Sequence, residues 1–289
     1  MSPLVSIILS VFNGGNTLSL AIQSVLLQNY EYWELIILDD ASIDNSLEVI
    51  HRFHDDRISV IAGERNIGLA ARLNMGIDAA QGKYIARMDQ DDICFPDRLL
   101  KQVQFMETHQ DVDLLGSSVV VFKENGIALG RLPVKSRHEE ICLRPWSGFY
   151  MPHPTWMGET EWFRKHRYDS SADGAEDQHL LFRSYRNSRF SCLDEPLLGY
   201  RESRSLKKFL RTRFVFLKSL GREAIRMGQF ITATKILVIQ SLRAGGDILN
   251  ITTGIAGTRS PLSPLDTETQ GVWGSLWERL DKDPSYRLN

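Results

Sequence analysis

Short apolar runs alternate with amphipathic stretches along the first ninety or so positions. Leu4–Ser10, Leu35–Leu38, Ile58–Ile61 and Tyr84–Met88 are continuous and rich in β-branched or large residues. Continuous rather than alternating runs mark strands buried on both faces. Between them, Leu18, Ala21, Ile22, Val25 and Leu26 recur at helical spacing, as do Leu47, Ile50 and Phe53. A third helix is predicted from Leu69 to about Ala80, where Gln81-Gly82 stops it. Asn16 or Thr17 would cap the first helix and Asp44 the second. Strand–helix units repeated without hairpins predict an α/β fold, a mostly parallel sheet covered on both faces.

The second half is less regular. Pro96 opens a helix bearing Leu99, Leu100, Val103 and Met106. Leu114–Phe122 reads as a strand and Asn125-Gly126 as the turn to a paired one. A helix is predicted around Arg137–Leu143, and an extended edge over Met151–Met157 because of its two prolines. Asp173–Asp177 leads into a helix with Leu180, Leu181 and Tyr185, and short strands are expected at Ser191–Leu193 and Leu197–Tyr200, around Pro196. From Arg201 to Gly245 the chain carries eleven Lys or Arg against two acids. Two readings fit: a solvated helical hairpin packed on the body, or one drawn to an anionic membrane surface. Beyond Asn250, Pro261, Pro264 and Pro284 argue against long helices. The Trp273–Trp277 spacing would dock a short helix on the body or on a partner.

Chemistry concentrates where the strands end. Phe12-Asn13, Asp39-Asp40, Arg65-Asn66 and Asp89-Gln90-Asp91 all follow predicted strands, and open α/β sheets bind ligands beyond those ends. Asp89, Asp91 and Asp92 cannot be buried unpaired, since each anion would lose several kcal/mol of hydration. Hard oxygen donors at this spacing suit Mn²⁺ or Mg²⁺ bridged to phosphates. Composition narrows the field. A formal charge of −2 over 289 residues argues against bulk nucleic-acid binding. Three scattered cysteines indicate neither a disulfide framework nor a zinc site, so a reducing, cytoplasmic setting is expected. The first apolar run is short and has no basic region before it, unlike a signal peptide. No stretch reaches the ~18–20 apolar residues of a membrane span.

In order and spacing, Val5-Ser6-Ile7-Ile8…Phe12-Asn13, Leu38-Asp39-Asp40-Ala41-Ser42-Ile43-Asp44, Asn66-Ile67-Gly68, Asp89-Gln90-Asp91-Asp92…Pro96-Asp97-Arg98-Leu99 and Glu176-Asp177-Gln178-His179-Leu180 resemble the family 2 glycosyltransferases of GT-A fold, of bacterial polysaccharide-synthesis type. The resemblance covers about residues 4–204. It implies a transferase unit over 1–204, with a nucleotide-binding half to about 95 and an acceptor-side half from 96, followed by a basic helical extension and tail over 205–289. The substrates it implies are a nucleotide-diphosphate sugar, with a UDP-sugar favoured, and a saccharide or lipid-linked saccharide acceptor. By resemblance, Asp91 is the metal ligand and Asp89 contacts the metal or the ribose. Asp92 orients the loop or caps the next helix. Phe12 stacks on the base, standing where tyrosine is more usual. Asp40 accepts from uracil N3–H, Asp39 is the alternative ribose contact, and Ser10 and Asn66 are further candidates for that pocket. Asp177 is the general base, with Glu176 as runner-up. His153 lines the acceptor side, and Arg201 or Arg204 contacts phosphate. A single base without a carboxylate nucleophile implies one displacement with inversion.

Other classes fit less well. A nucleotidyltransferase acting on sugar phosphates would show a basic, Gly-rich first loop, and Gly14-Gly15 has no Lys or Arg beside it. A dinucleotide dehydrogenase would carry G-x-G-x-x-G after the first strand. A non-catalytic, membrane-associated interaction protein leaves both acidic motifs unexplained.

Overall fold

The computed structural model describes residues 2–202, 206–253 and 262–282, and side chains throughout these except at 206–209 and 247–253. Arg204, Pro261, Pro284 and the expected 204/205 boundary lie outside the described residues. Among the described residues nine strands form one sheet: β1 (Val5–Val11), β2 (Trp33–Asp39), β3 (Ile58–Ala62), β4 (Tyr84–Asp89), β5 (Ile93–Cys94), β6 (Leu114–Phe122), β7 (Ala128–Leu132), β8 (Met157–Glu159) and β9 (Phe190–Arg201). Their order is β3-β2-β1-β4-β8-β6-β9-β5, with β7 on the flank of β6.

The first four strands are parallel, as their apolar runs predict. Their register aligns the polar ends: Val11 pairs with Asp39, and Ser10 pairs with Leu38 on one side and Asp89 on the other. Beyond β4 the sheet departs from the expected parallel arrangement. β8 runs antiparallel to both β4 and β6, and β9 returns parallel to β6. The two short strands expected around Pro196 are one strand, β9, whose register against β6 slips near Ser117–Val119. Proline cannot donate to the ladder, so the slip accommodates it. The extended edge expected at Met151–Met157 is interrupted by a 3-10 turn over His153–Thr155, closed by Thr155 N–H to Pro152 O and Trp156 N–H to His153 O. Pro154 favours such a turn because its ring already fixes a helical φ.

Helices cover both faces. Leu18–Leu26 and Arg98–Thr108 pack Leu18, Ile22, Val25, Leu99 and Val103 on Ile7, Leu9, Leu35 and Ile37. Leu69–Ala79 and Glu176–Ser184 pack Leu73, Ile77, Leu180 and Leu181 on the other side, with Ile8, Ile36 and Leu38. Gly76 sits so close to the sheet that a Cβ there would meet Ile8 Cγ2 at 2.5 Å.

The C-terminal helix Thr267–Lys282 docks on the body. Trp273 is buried against Phe122 and Phe95, and its indole N–H donates to Gly126 O at 2.9 Å. Trp277 packs on the same Phe122 ring. Truncating Trp273 to Ala is expected to cost about 3–5 kcal/mol, read as a lower urea midpoint. An unchanged midpoint would mean this helix adds nothing to the fold.

Candidate active site

Polar residues at or beyond the ends of the parallel strands gather at one edge, and the loops there are tied to one another. Phe12, 45% exposed, projects from the end of β1. Its backbone is clasped by the Gln90 amide, which accepts from Phe12 N–H at 2.8 Å and donates to Phe12 O at 3.3 Å. Asn13 adopts φ 52° and accepts from Ile43 N–H, joining the first loop to the second.

Asp39 and Asp40 part ways. Asp39 is fully buried, with one carboxylate oxygen accepting from Ser42 N–H at 3.1 Å and the other without a hydrogen bond. Asp40 reaches the third loop. One oxygen accepts from Ile67 N–H at 2.8 Å and from Arg72 Nε at 2.7 Å, and the other accepts from Gly68 N–H at 2.9 Å. The buried Arg72 guanidinium offsets the desolvation of that carboxylate. Asp40 thus shapes the Asn66-Ile67-Gly68 turn. Gly68, at φ 89°, opens the next helix, and Asp173 accepts from Ala70 N–H in its first turn at 3.1 Å. That contact ties the loop before Glu176 to the helix that follows β3.

The end of β4 holds the acids. One oxygen each from Asp89, Asp91 and Asp92 can be found within 4.8 Å of one another. Asp92 is buried and accepts from Arg201 N–H at 3.2 Å, while its second oxygen has no hydrogen bond. Burial, then the charges of Asp89 and Asp91, push its carboxyl well above the usual range. Clustered carboxylates with an orphaned buried oxygen fit a divalent cation, which would relieve their repulsion. Asp92 therefore belongs to the cluster as well as orienting the loop. Arg201 stacks 4.8 Å over Phe122 and donates from Nε to Asp91 O at 3.0 Å.

Arg87 is one of the residues that sequence reasoning missed. It lies two positions before Asp89 on the same strand face, 3% exposed, with a guanidinium nitrogen 2.5 Å from Asp89. Burial works to lower its pKa, but Asp89 outweighs this and the net shift is upward. Its Nε and one terminal nitrogen have no hydrogen bond. An arginine inside a strand buried on both faces was a readable signal, because such a cation must have an anionic partner.

Across from the cluster, Glu176 and Asp177 open their helix. Glu176 is buried, accepts from Gly174 N–H at 2.6 Å, and is pushed up to about 7 by burial and then by Asp177. Asp177 is half-buried, and burial raises its pKa too. Gln178 donates to Asp177 at 3.0 Å and accepts from Phe149 N–H at 2.7 Å, linking the acid to the 149–153 segment. His153 is buried against Trp156, bonded through Nε2 to Tyr168 at 2.8 Å, and 3.8 Å from Glu176 through Nδ1. Burial, then the Arg87 charge, hold it well below 6.5 and hence neutral.

These groups face one cavity of about 850 Å³. Ser10, Phe12, Asp40, Asn66, Asp89, Asp91, His153, Glu176 and Asp177 all line it; Asp39 does not. Arg87, Gln90, Gln178 and Arg201 join them, as do Arg211 and Thr212 from the basic helix Leu206–Arg226. The C-terminal third, which carried no motif, contributes to the wall.

A family model for glycosyl transferase family 2 matches residues 6–167. The uncharacterized glycosyltransferase MJ1057 of Methanocaldococcus jannaschii is 34% identical over 205 residues, covering 69% of this chain and 71% of that protein. WfgD of Escherichia coli, named as a UDP-Glc:alpha-D-GlcNAc-diphosphoundecaprenol beta-1,3-glucosyltransferase, is 40% identical over 103 residues, 36% of this chain and 41% of its own. Against a further relative, 43% identical, the match spans about half, 48%, of that protein's length. The mannosyltransferase PcManGT of Pyrobaculum calidifontis, solved with GDP-Man and Mn²⁺, superposes with a TM-score of 0.63 at 16% identity, covering 99% of this chain and 83% of that one. The fold is GT-A, and the chain belongs to glycosyl transferase family 2.

Proposed function

We propose that this cavity transfers a sugar from a nucleotide-diphosphate donor to a hydroxyl acceptor with inversion, in the synthesis of a bacterial surface polysaccharide or glycolipid. The observation that carries this reading is the pairing, in one cavity, of Asp89 and Asp91 from the acidic cluster with the Glu176–Asp177 pair. The nucleotide would lie across the ends of β1 and β2, with its base against the exposed Phe12 ring and near Asn66. A UDP-sugar is favoured by the Asp40 position and by the donor in the name of WfgD. A divalent cation held by Asp91 and Asp89, with Asp92 beside them, would neutralise charge developing on the diphosphate.

Asp177 takes the proton from the attacking hydroxyl. Burial raises its pKa and so its proton affinity as a base, and Gln178 donates to it and fixes its orientation. Glu176, turned to Gly174 N–H, shares the charge rather than reaching the substrate. Among the described residues this reading assigns a single carboxylate, Asp177, to the acceptor, which favours single displacement. Residues 1–204 serve as the transferase unit and 205–289 as an extension that reaches the cavity through Arg211 and Thr212. No described helix is long and apolar enough to cross a membrane. A cytoplasmic protein acting at the membrane face suits a lipid-linked saccharide acceptor.

A thermal-shift panel of UDP-, GDP- and dTDP-sugars with and without Mn²⁺ tests the donor assignment. UDP-sugars are expected to raise Tm, and to do so only with the ion. Stabilisation by no nucleotide sugar would discard the reading. Pyrophosphate release from a nucleoside triphosphate and a sugar phosphate would establish the nucleotidyltransferase instead.

A further inference from the structure

We infer that the outer face of the helical hairpin Leu206–Arg226 and Phe230–Thr253 docks on an anionic lipid bilayer and holds the cavity mouth against it. The inner face is committed to the body: Phe216, Leu220, Ala224 and Ile236 are buried with Leu180 and Leu181. The opposite face is exposed and carries large apolar side chains among basic ones, where solvated helices are normally polar throughout. On the first helix, Arg211, Phe214, Lys218, Arg222 and Ile225 form one exposed stripe at three- and four-residue spacing. On the second, Phe230, Ile231, Leu237, Val238 and Leu242 are all more than half exposed. Arg213 donates to Gln240 at 3.0 Å and fixes the pairing of the two helices.

Charge selects the occupant. Every exposed charged residue among the described side chains of this hairpin is cationic: Arg211, Lys218, Arg222, Arg226 and Lys235. Glu223, the one acid among those described side chains, is buried. Two copies of this face would bring like charges together, whereas basic side chains interspersed with large apolar ones match an anionic headgroup layer over acyl chains. Arg211 belongs both to the stripe and to the cavity wall. Docking would therefore bring the cavity mouth to the lipid surface, where a lipid-linked acceptor presents its sugar. That last step rests on the proposed transferase reading; the docking itself does not.

The test is co-sedimentation of the full chain with phosphatidylcholine vesicles, with and without phosphatidylglycerol, at two salt concentrations. The protein is expected to pellet with the anionic vesicles and to be released by salt. Lys218→Glu with Arg222→Glu should weaken partitioning about thirtyfold or more. Ile231→Ser with Leu242→Ser should weaken it by at least about tenfold. Both double variants should keep the wild-type circular dichroism and the turnover of a water-soluble acceptor. Equal partitioning of variants and wild type would overturn the proposal. So would a concentration-dependent dimer that Ile231→Ser with Leu242→Ser dissolves, since the face would then cover a second copy. Loss of turnover in wild type with vesicle binding intact would sink the transferase reading alone.

Discussion

Replacing Asp177 by Asn is expected to lower kcat about 10²–10⁴-fold while leaving donor affinity within about twofold of wild type. The amide keeps the size and the contact with Gln178 but cannot take the acceptor proton. Donor binding is spared because the nucleotide-side groups, Phe12 and the acids of the β4 turn, are untouched. Glu176→Gln should cost less, since Glu176 is buried and already bonded to Gly174 N–H. The pH profile adds a second readout. Both carboxyls are raised, Glu176 to about 7, so the pair holds a proton at a pH where ordinary carboxylates are ionised. A base is inactive when protonated, so wild-type kcat should fall as pH drops into the raised range where the pair takes up its proton. In Asp177→Asn that limb should flatten. Full activity in Asp177→Asn, with the larger loss in Glu176→Gln, would exchange their roles.

The parallel half of the fold was legible because buried strands carry largely apolar runs, as β1, β2 and β4 do, while β3, a half-exposed edge strand, still keeps Ile58, Val60 and Ile61. The other half was not. β8 is three residues long, too short to carry a period, yet it is the strand that turns the sheet antiparallel. β9 runs through Pro196, a residue that argues against a continuous strand until the slip against β6 is seen. The docking of Trp273 needed its partners, Phe122 and Phe95, which lie more than a hundred residues away in the chain.

The site divides in the same way. Candidates on the strand-end loops were brought together because parallel register fixes where those loops fall. Asp39 and Asp40 could not be told apart by composition, and only the third loop, held by Asp40, separates them. Gln90 and Gln178 are amide clasps that bridge separate loops, so neither had a local signature. Arg87 did have one, as a cation inside an apolar strand. Its meaning depends on Asp89, Glu176 and Tyr168 converging around it.

The acids of the β4 turn differ in what holds them. Asp89 is paired with Arg87, and Asp92 is buried against Arg201 N–H. Asp91 lines the cavity, and its backbone oxygen accepts from Arg201 Nε, which anchors the turn. Asp91→Ala should therefore remove metal-dependent charge stabilisation while sparing the fold. A loss of about 10²–10³-fold in kcat is expected, the size seen when one preorganised stabilising group is removed from a developing oxyanion. The direct test is UDP release from a UDP-sugar, followed over a Mn²⁺ titration in wild type and Asp91→Ala. Turnover that rises with Mn²⁺ in wild type and stays near background in Asp91→Ala is the predicted result. Undiminished, Mn²⁺-dependent turnover in Asp91→Ala would contradict the account.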